Sequence, residues 1–309
     1  MLDGKQKSAY KKGMNKLPLA KRVQILQLLC EGMSMRAISR AVDVSINTVG
    51  KTLTDAGDVC LRFHDQAVRG LQSKRVQVDE VWAFCAAKAK NVHSMKRSVE
   101  GAGDVWTWSA IDADSKLIIS YHVGGRDLHC ATAFLNDLAE RLDCRIQLTS
   151  DGWRSYLGAV ENAFRGRVDY AQLQKIYASV AGNPEGKYSP GDCIGATKEN
   201  IVGNPDEAHI STSYIERSHL SLRMHNRRFT RLTNAFSKKF LAHLHALALY
   251  FVFYNFVRIH KTLRVTPAMA AGIMDKLMDF EDIVALMDAA APMPNRPKVY
   301  KKKPLQIAG

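Results

Sequence analysis

The sequence predicts a mixed α/β domain with a small all-helical unit ahead of it. Two patterns carry that expectation. Before Lys74, apolar residues recur at helical spacing between cap and terminator residues. After Lys74, runs rich in Val, Ile and Trp alternate with amphipathic helical stretches. With 309 residues, 46% of them hydrophobic, the chain can build a sizeable core.

The helical unit is read over 1–57. LPLAKRVQILQLLCEG places Val23, Leu26, Leu29 and Cys30 at helical spacing and stops at Gly32. SMRAISRAV forms a second short helix. DVSINTVGKTLTDAG forms a third, with Ser45 as N-cap, Val49 and Leu53 four apart, and Gly57 as its end. Three short helices with a tight turn before the third describe a helix-turn-helix. Its groove-facing candidates are Arg36, Asn47, Thr48 and Lys51. A bundle used only for packing is the competing reading.

Residues 58–73 are read as a helical connector, followed by a mixed α/β domain over 74–273. RVQVDEVWAF, VWTWSAI (105–111) and KLIISYHV (116–123) are strands, the last two joined by a hairpin turn at Asp112–Ser115. HCATAFLNDLAERL is a helix, RIQLTSD a fourth strand ending on an acid, WRSYLGAVENAF a helix and 167–178 a fifth strand. Residues 180–210, rich in Gly and Pro, read as an irregular insertion. Helices follow at about 211–226, 237–258 and 276–289. The end of the chain, 274–309, is a helix and a basic, proline-broken tail with Lys298, Lys301, Lys302 and Lys303.

A β-β-β-α-β-α-β-α order is that of the ribonuclease-H-like fold, a mixed five-stranded sheet flanked by helices, in which strand four lies beside strand one. That neighbourhood would bring together Asp79 in VQVDEVW and Asp151 in LTSDGW. Aspartate is disfavoured in strands and costly to bury unpaired, and a divalent cation would offset the cost. Hard Mg²⁺ takes oxygen ligands. Glu216 is the third candidate, the single acid in YIERSHLSLRMHNRRFTR (214–231). On a helix it shares a face with Leu220, Arg223 and Arg227, so it could turn to a metal while Arg223, Arg227, Arg228 and Arg231 meet phosphates. The bland alternatives are a polar strand residue with Glu80 on the opposite face, an N-cap for Asp151 and a solvated helix acid for Glu216. Asp112 and Asp114 are explained by their turn. His219 and His225, six apart, form no metal pair.

Composition narrows the partners. Lys and Arg total 44 against 30 Asp and Glu, a net charge of +14 that favours a polyanion such as nucleic acid. The cysteines at 30, 60, 85, 130, 144 and 193 include no C-x-x-C pair, which argues for reduced thiols and against a zinc module. The start, MLDGKQKSAYKKG, has no apolar core of a signal peptide. FLAHLHALALYFVFYNFV (240–257) has the length of a membrane span but carries His243, His245 and Asn255, so a buried core helix is expected and no membrane.

From about residue 75 to 272 the chain resembles the DDE transposases of bacterial insertion sequences, most similar to the insertion-sequence-one family. The resemblance rests on VDEVW, LTSDGWRSY, YIERSHLSLRMHNRRFTRLTNAFSK and YNFVRIHKTLRVTPAMAAGI (254–273). It implies a catalytic and metal-binding triad of Asp79, Asp151 and Glu216, two Mg²⁺ ions per site (Mn²⁺ as the alternative), and DNA as partner at both element ends and target. It further implies a homodimer or higher oligomer on DNA and a bacterial cytoplasmic, nucleoid-associated location. Arg223 matches the family's basic residue, and Asn255, Arg258 and His260 its terminal motif, structural or DNA-contacting. A catalytically inactive helix-turn-helix regulator and a structure-specific nuclease of the same fold are the alternatives.

Overall fold

The computed structural model describes residues 16–178 and 192–291. The basic tail and its lysines lie outside the described residues. The elements are α1 (Leu19–Cys30), α2 (Met35–Val42), α3 (Ile46–Ala67), β1 (Arg75–Cys85), β2 (Gly103–Asp112), β3 (Ile118–Gly124), α4 (Leu128–Glu140), β4 (Ile146–Asp151), α5 (Ser155–Phe164), β5 (Val168–Tyr177), β6 (Cys193–Val202), α6 (Ser213–His225), α7 (Phe240–Val252), α8 (Pro267–Ala270) and α9 (Phe280–Ala290).

The strands form one mixed sheet in the order β3-β2-β1-β4-β5-β6. β1, β2 and β3 run antiparallel as a meander, and β4 and β5 add in parallel. The first five strands have the ribonuclease-H-like arrangement. The sixth corrects the reading of 180–210 as irregular, because Cys193–Val202 pairs antiparallel with β5. Its residues are mostly exposed, so it lacks the apolar alternation by which a strand is recognised, and the backbone ladder to β5 alone defines it.

The first three helices enclose a small core of Ile25, Ile38, Val42 and Val49. Ser34 and Ser45 cap α2 and α3 by accepting from the amides of Ala37 and Thr48. Gly32 ends α1 at φ +73°, where a side chain would also strike the Met224 carbonyl. The third helix, however, does not end at Gly57. It continues to Ala67, so the expected connector 58–73 opens as the same helix. Leu53, Ala56, Gly57, Cys60 and His64 line its buried face. Gly57 lies so close to α7 that an added Cβ would sit 2.3 Å from His245 Cβ.

The apolar stretch Phe240–Val257 is 72% buried within the protein and forms the core helix α7 with a final π turn, as expected. Asn255 in that turn is fully buried. Its amide acts as a peptide surrogate on the edge strand β3, accepting from the Ile118 N–H at 2.9 Å and donating to the Ile118 carbonyl at 2.8 Å. His64 reaches the same carbonyl at 3.1 Å, and burial pushes its pKa down to about 4. The terminal-motif asparagine is therefore a fold residue. Replacing it with Ala leaves the buried Ile118 N–H without a partner and its carbonyl with His64 alone, and is expected to cost about 1–3 kcal/mol, seen in urea unfolding. Unchanged stability would refute that role.

Candidate active site

Pairing between the parallel strands β1 and β4 ends at Gln77↔Thr149. Asp79 and Asp151 each stand two residues past that last pair, so the shared register carries both carboxyls to the mouth of the gap between the strands. Gln77 fixes the helix above by accepting from the amides of Tyr214 and Ile215 at the start of α6. Asp151 accepts from the Trp153 amide at 3.0 Å. This is a local turn and not a helix cap, since α5 begins only at Ser155.

One carboxyl oxygen from each of Asp79, Glu80 and Asp151 lies within 4.8 Å of the others. Glu80 is buried on the side of the sheet facing α5, where it accepts from the Tyr156 hydroxyl at 2.9 Å and from Arg126 at 2.6 Å. Burial, then Asp151 and Asp79, raise the Glu80 pKa to about 7. Burial also raises Asp151, with Asp79 adding to it against the Trp153 amide and Arg126. Arg126 reaches Asp151 at 3.8 Å as well. One guanidinium thus serves a crowded carboxyl group, an oxygen-only donor set that suits a hard divalent cation.

On the other side of β1, His219 of α6 lies 3.4 Å from Asp79 and makes a 2.8 Å hydrogen bond with Ser109, the register partner of Asp79 on β2. His219 is buried beside Asp79. Glu216 lies one turn earlier on the same helix, about 4.5 Å along its axis. Its carboxylate is outside the three-acid cluster and instead binds Lys175 of β5 at 2.5 Å and the Thr212 hydroxyl at 2.7 Å. Burial opposes the Lys175 charge, but the Glu216 contact prevails and holds its pKa above the usual range.

The residues expected to meet DNA fall into two groups. Arg36 and Asn47 are exposed, Thr48 is tied to Ser45, and Lys51 pairs with Asp55. α9 lines the same cleft as Asn47, Thr48 and Lys51, and its Asp288 binds Arg22 at 2.5 Å and also Lys16. Arg227 and Arg231 follow α6 near the surface. Arg223 is half-buried; burial and Arg231 lower its pKa while Asp79 opposes. Arg228 is turned inward, donating to Ser237 at 3.1 Å and passing Met35 of α2, which makes it a packing residue between the helical unit and the core.

Sequence reasoning missed Glu80, Arg126 and Lys175 as site residues. Glu80 points to the face opposite Asp79, yet one of its carboxyl oxygens lies within 4.8 Å of those of Asp79 and Asp151. Nothing local marks Arg126 or Lys175.

No family model matches the chain, and no curated protein does. Solved structures that match include a Mos1 transposase paired-end complex with the left transposon end, at 14% identity over 48% of this chain and 59% of that one, TM-score 0.20. A pre-cleavage Mos1 transpososome matches at 13% identity over 52% and 61%, TM-score 0.20. A piggyBac transposase synaptic complex with hairpin DNA matches at 10% identity over 90% and 73%, TM-score 0.32. This chain spans 59% and 61% of the lengths of the two Mos1 chains. Superpositions this loose transfer no role to this chain.

Proposed function

We propose that this protein is a DNA transposase of the insertion-sequence type, one that binds element ends, cleaves them and joins the 3′-hydroxyls to target DNA. The observation that carries the reading is the convergence of Asp79 and Asp151 across the β1–β4 gap, beneath a helix that bears Glu216 and Arg223 and is followed by Arg227 and Arg231. The motifs around those residues resemble the insertion-sequence-one family, and the charge of +14 suits a polyanionic substrate.

Asp79, Asp151 and Glu216 would hold divalent cations, Mg²⁺ first and Mn²⁺ as the alternative, with two ions per site. When bound, such ions supply an activated nucleophile and charge neutralisation at the scissile phosphate. The protein's own residues do the positioning. His219 orients Asp79, Gln77 anchors α6 over the gap, and Lys175 orients Glu216. Arg223, Arg227 and Arg231 line the path of the phosphate backbone. Arg36, Asn47, Thr48 and Lys51 of the three-helix unit would read the ends, and handling two ends calls for at least a dimer.

A strand-transfer assay with labelled end DNA and Mg²⁺ tests the reading. Joined product is expected. Cleavage without joining would indicate a nuclease, and binding without cleavage a regulator.

A further inference from the structure

A row of aromatic rings leads away from the acidic cluster on the Glu80 side of the sheet. Trp108, the register partner of Glu80, is fully buried among Phe134, Trp153 and Tyr156. The next pair outward on that face is Trp82 and Trp106, and there the helical cover stops, leaving Trp82 37% exposed. Phe84 follows at 5.7 Å from Trp82, and Phe236 lies 4.6 Å from Phe84.

Cations stand over these rings. Arg126, already bound to Glu80, lies 4.9 Å from the Trp106 ring; Lys88 lies 5.6 Å from Trp82; Lys238 lies 3.2 Å from Phe236. The acid opposite Phe84, Asp104, is engaged by the Ala89 amide. An apolar protein partner would have to desolvate those cations, whereas rings beside positive charge are what an unpaired polynucleotide binds.

We propose that Trp106, Trp82, Phe84 and Phe236, with Arg126, Lys88 and Lys238, bind an unpaired DNA strand running to the acidic cluster. Its bases stack on the rings and its phosphates meet the cations. This deepens the function proposed above, since it rests on DNA as substrate and assigns the state of the strand beside the cut.

The test is fluorescence anisotropy of the full chain with a fluorescein-labelled oligothymidylate of roughly 15 nucleotides and with a duplex of equal length. The unaltered protein should bind both. Trp82→Ala should weaken single-strand binding roughly tenfold and duplex binding less than about twofold, while Trp82→Phe, which keeps a ring, retains most of the affinity. Lys88→Ala with Lys238→Ala should weaken single-strand binding and flatten its salt dependence. Duplex binding without single-strand binding would overturn the aromatic track and leave the DNA reading standing, as would single-strand affinity indifferent to both variants. Binding of neither DNA would remove both.

Discussion

Asp151→Asn is expected to lower Mg²⁺-dependent cleavage of end DNA by on the order of 10³-fold, the loss typical of removing one directly placed electrostatic group from a catalytic site. Asp79→Asn should match it, because the two carboxyls sit at equivalent register positions past the last β1–β4 pair. The amide keeps the shape and the Trp153 contact of Asp151 but removes the charge a cation needs. Glu216→Gln should be as damaging if that residue completes the ligand set. Glu80→Gln should cost only about 10–100-fold, the scale of a residue that orients its neighbours. Glu80 is buried and held by Tyr156 and Arg126, whereas Glu216 is exposed and its Lys175 partner is open to solvent exchange. Gel-resolved cleavage with end binding measured in parallel checks this. Full cleavage by Asp151→Asn would sink the metal assignment, and Glu80→Gln dead beside an active Glu216→Gln would exchange the two roles.

The second large effect is on stability. Alanine normally gains about 1 kcal/mol over glycine inside a helix. Gly57 should reverse that rule. Its added Cβ would lie 2.3 to 2.7 Å from Cβ, Cα and the carbonyl oxygen of His245, and backbone atoms cannot rotate away. Overpacking of this kind costs about 1–3 kcal/mol, and valine should exceed alanine. Since α3 belongs both to the three-helix unit and to the packing on α7, the substitution should also loosen the attachment of that unit to the sheet. Thermal unfolding of Gly57→Ala and Gly57→Val measures the effect. A melting temperature equal to or above that of the unaltered chain would show that α3 and α7 do not meet so closely.

Gly57 also illustrates where local reading fails. A glycine after an amphipathic run is a fair helix terminator, and Gly32 behaves as one. Gly57 is present for close helix packing, a cause that lies 188 residues further along the chain at His245. β6 was missed for the converse reason: edge pairing leaves its side chains in water, so no periodicity records it.

The chain order of the helices and the first five strands, the cap Ser45, the buried nature of 240–257 and the placing of Asp79 and Asp151 on strands followed from the sequence, because backbone propensity, side-chain periodicity and the cost of an acid in a strand are local properties. Folding alone decided which groups meet. It carried Glu80 and Arg126 to the aspartates, set Glu216 against Lys175, turned Arg228 inward and made Asn255 a clamp on β3. Those outcomes depend on how the splayed strands and the helices laid on each face bring distant side chains within contact range, and no window of sequence contains that distance.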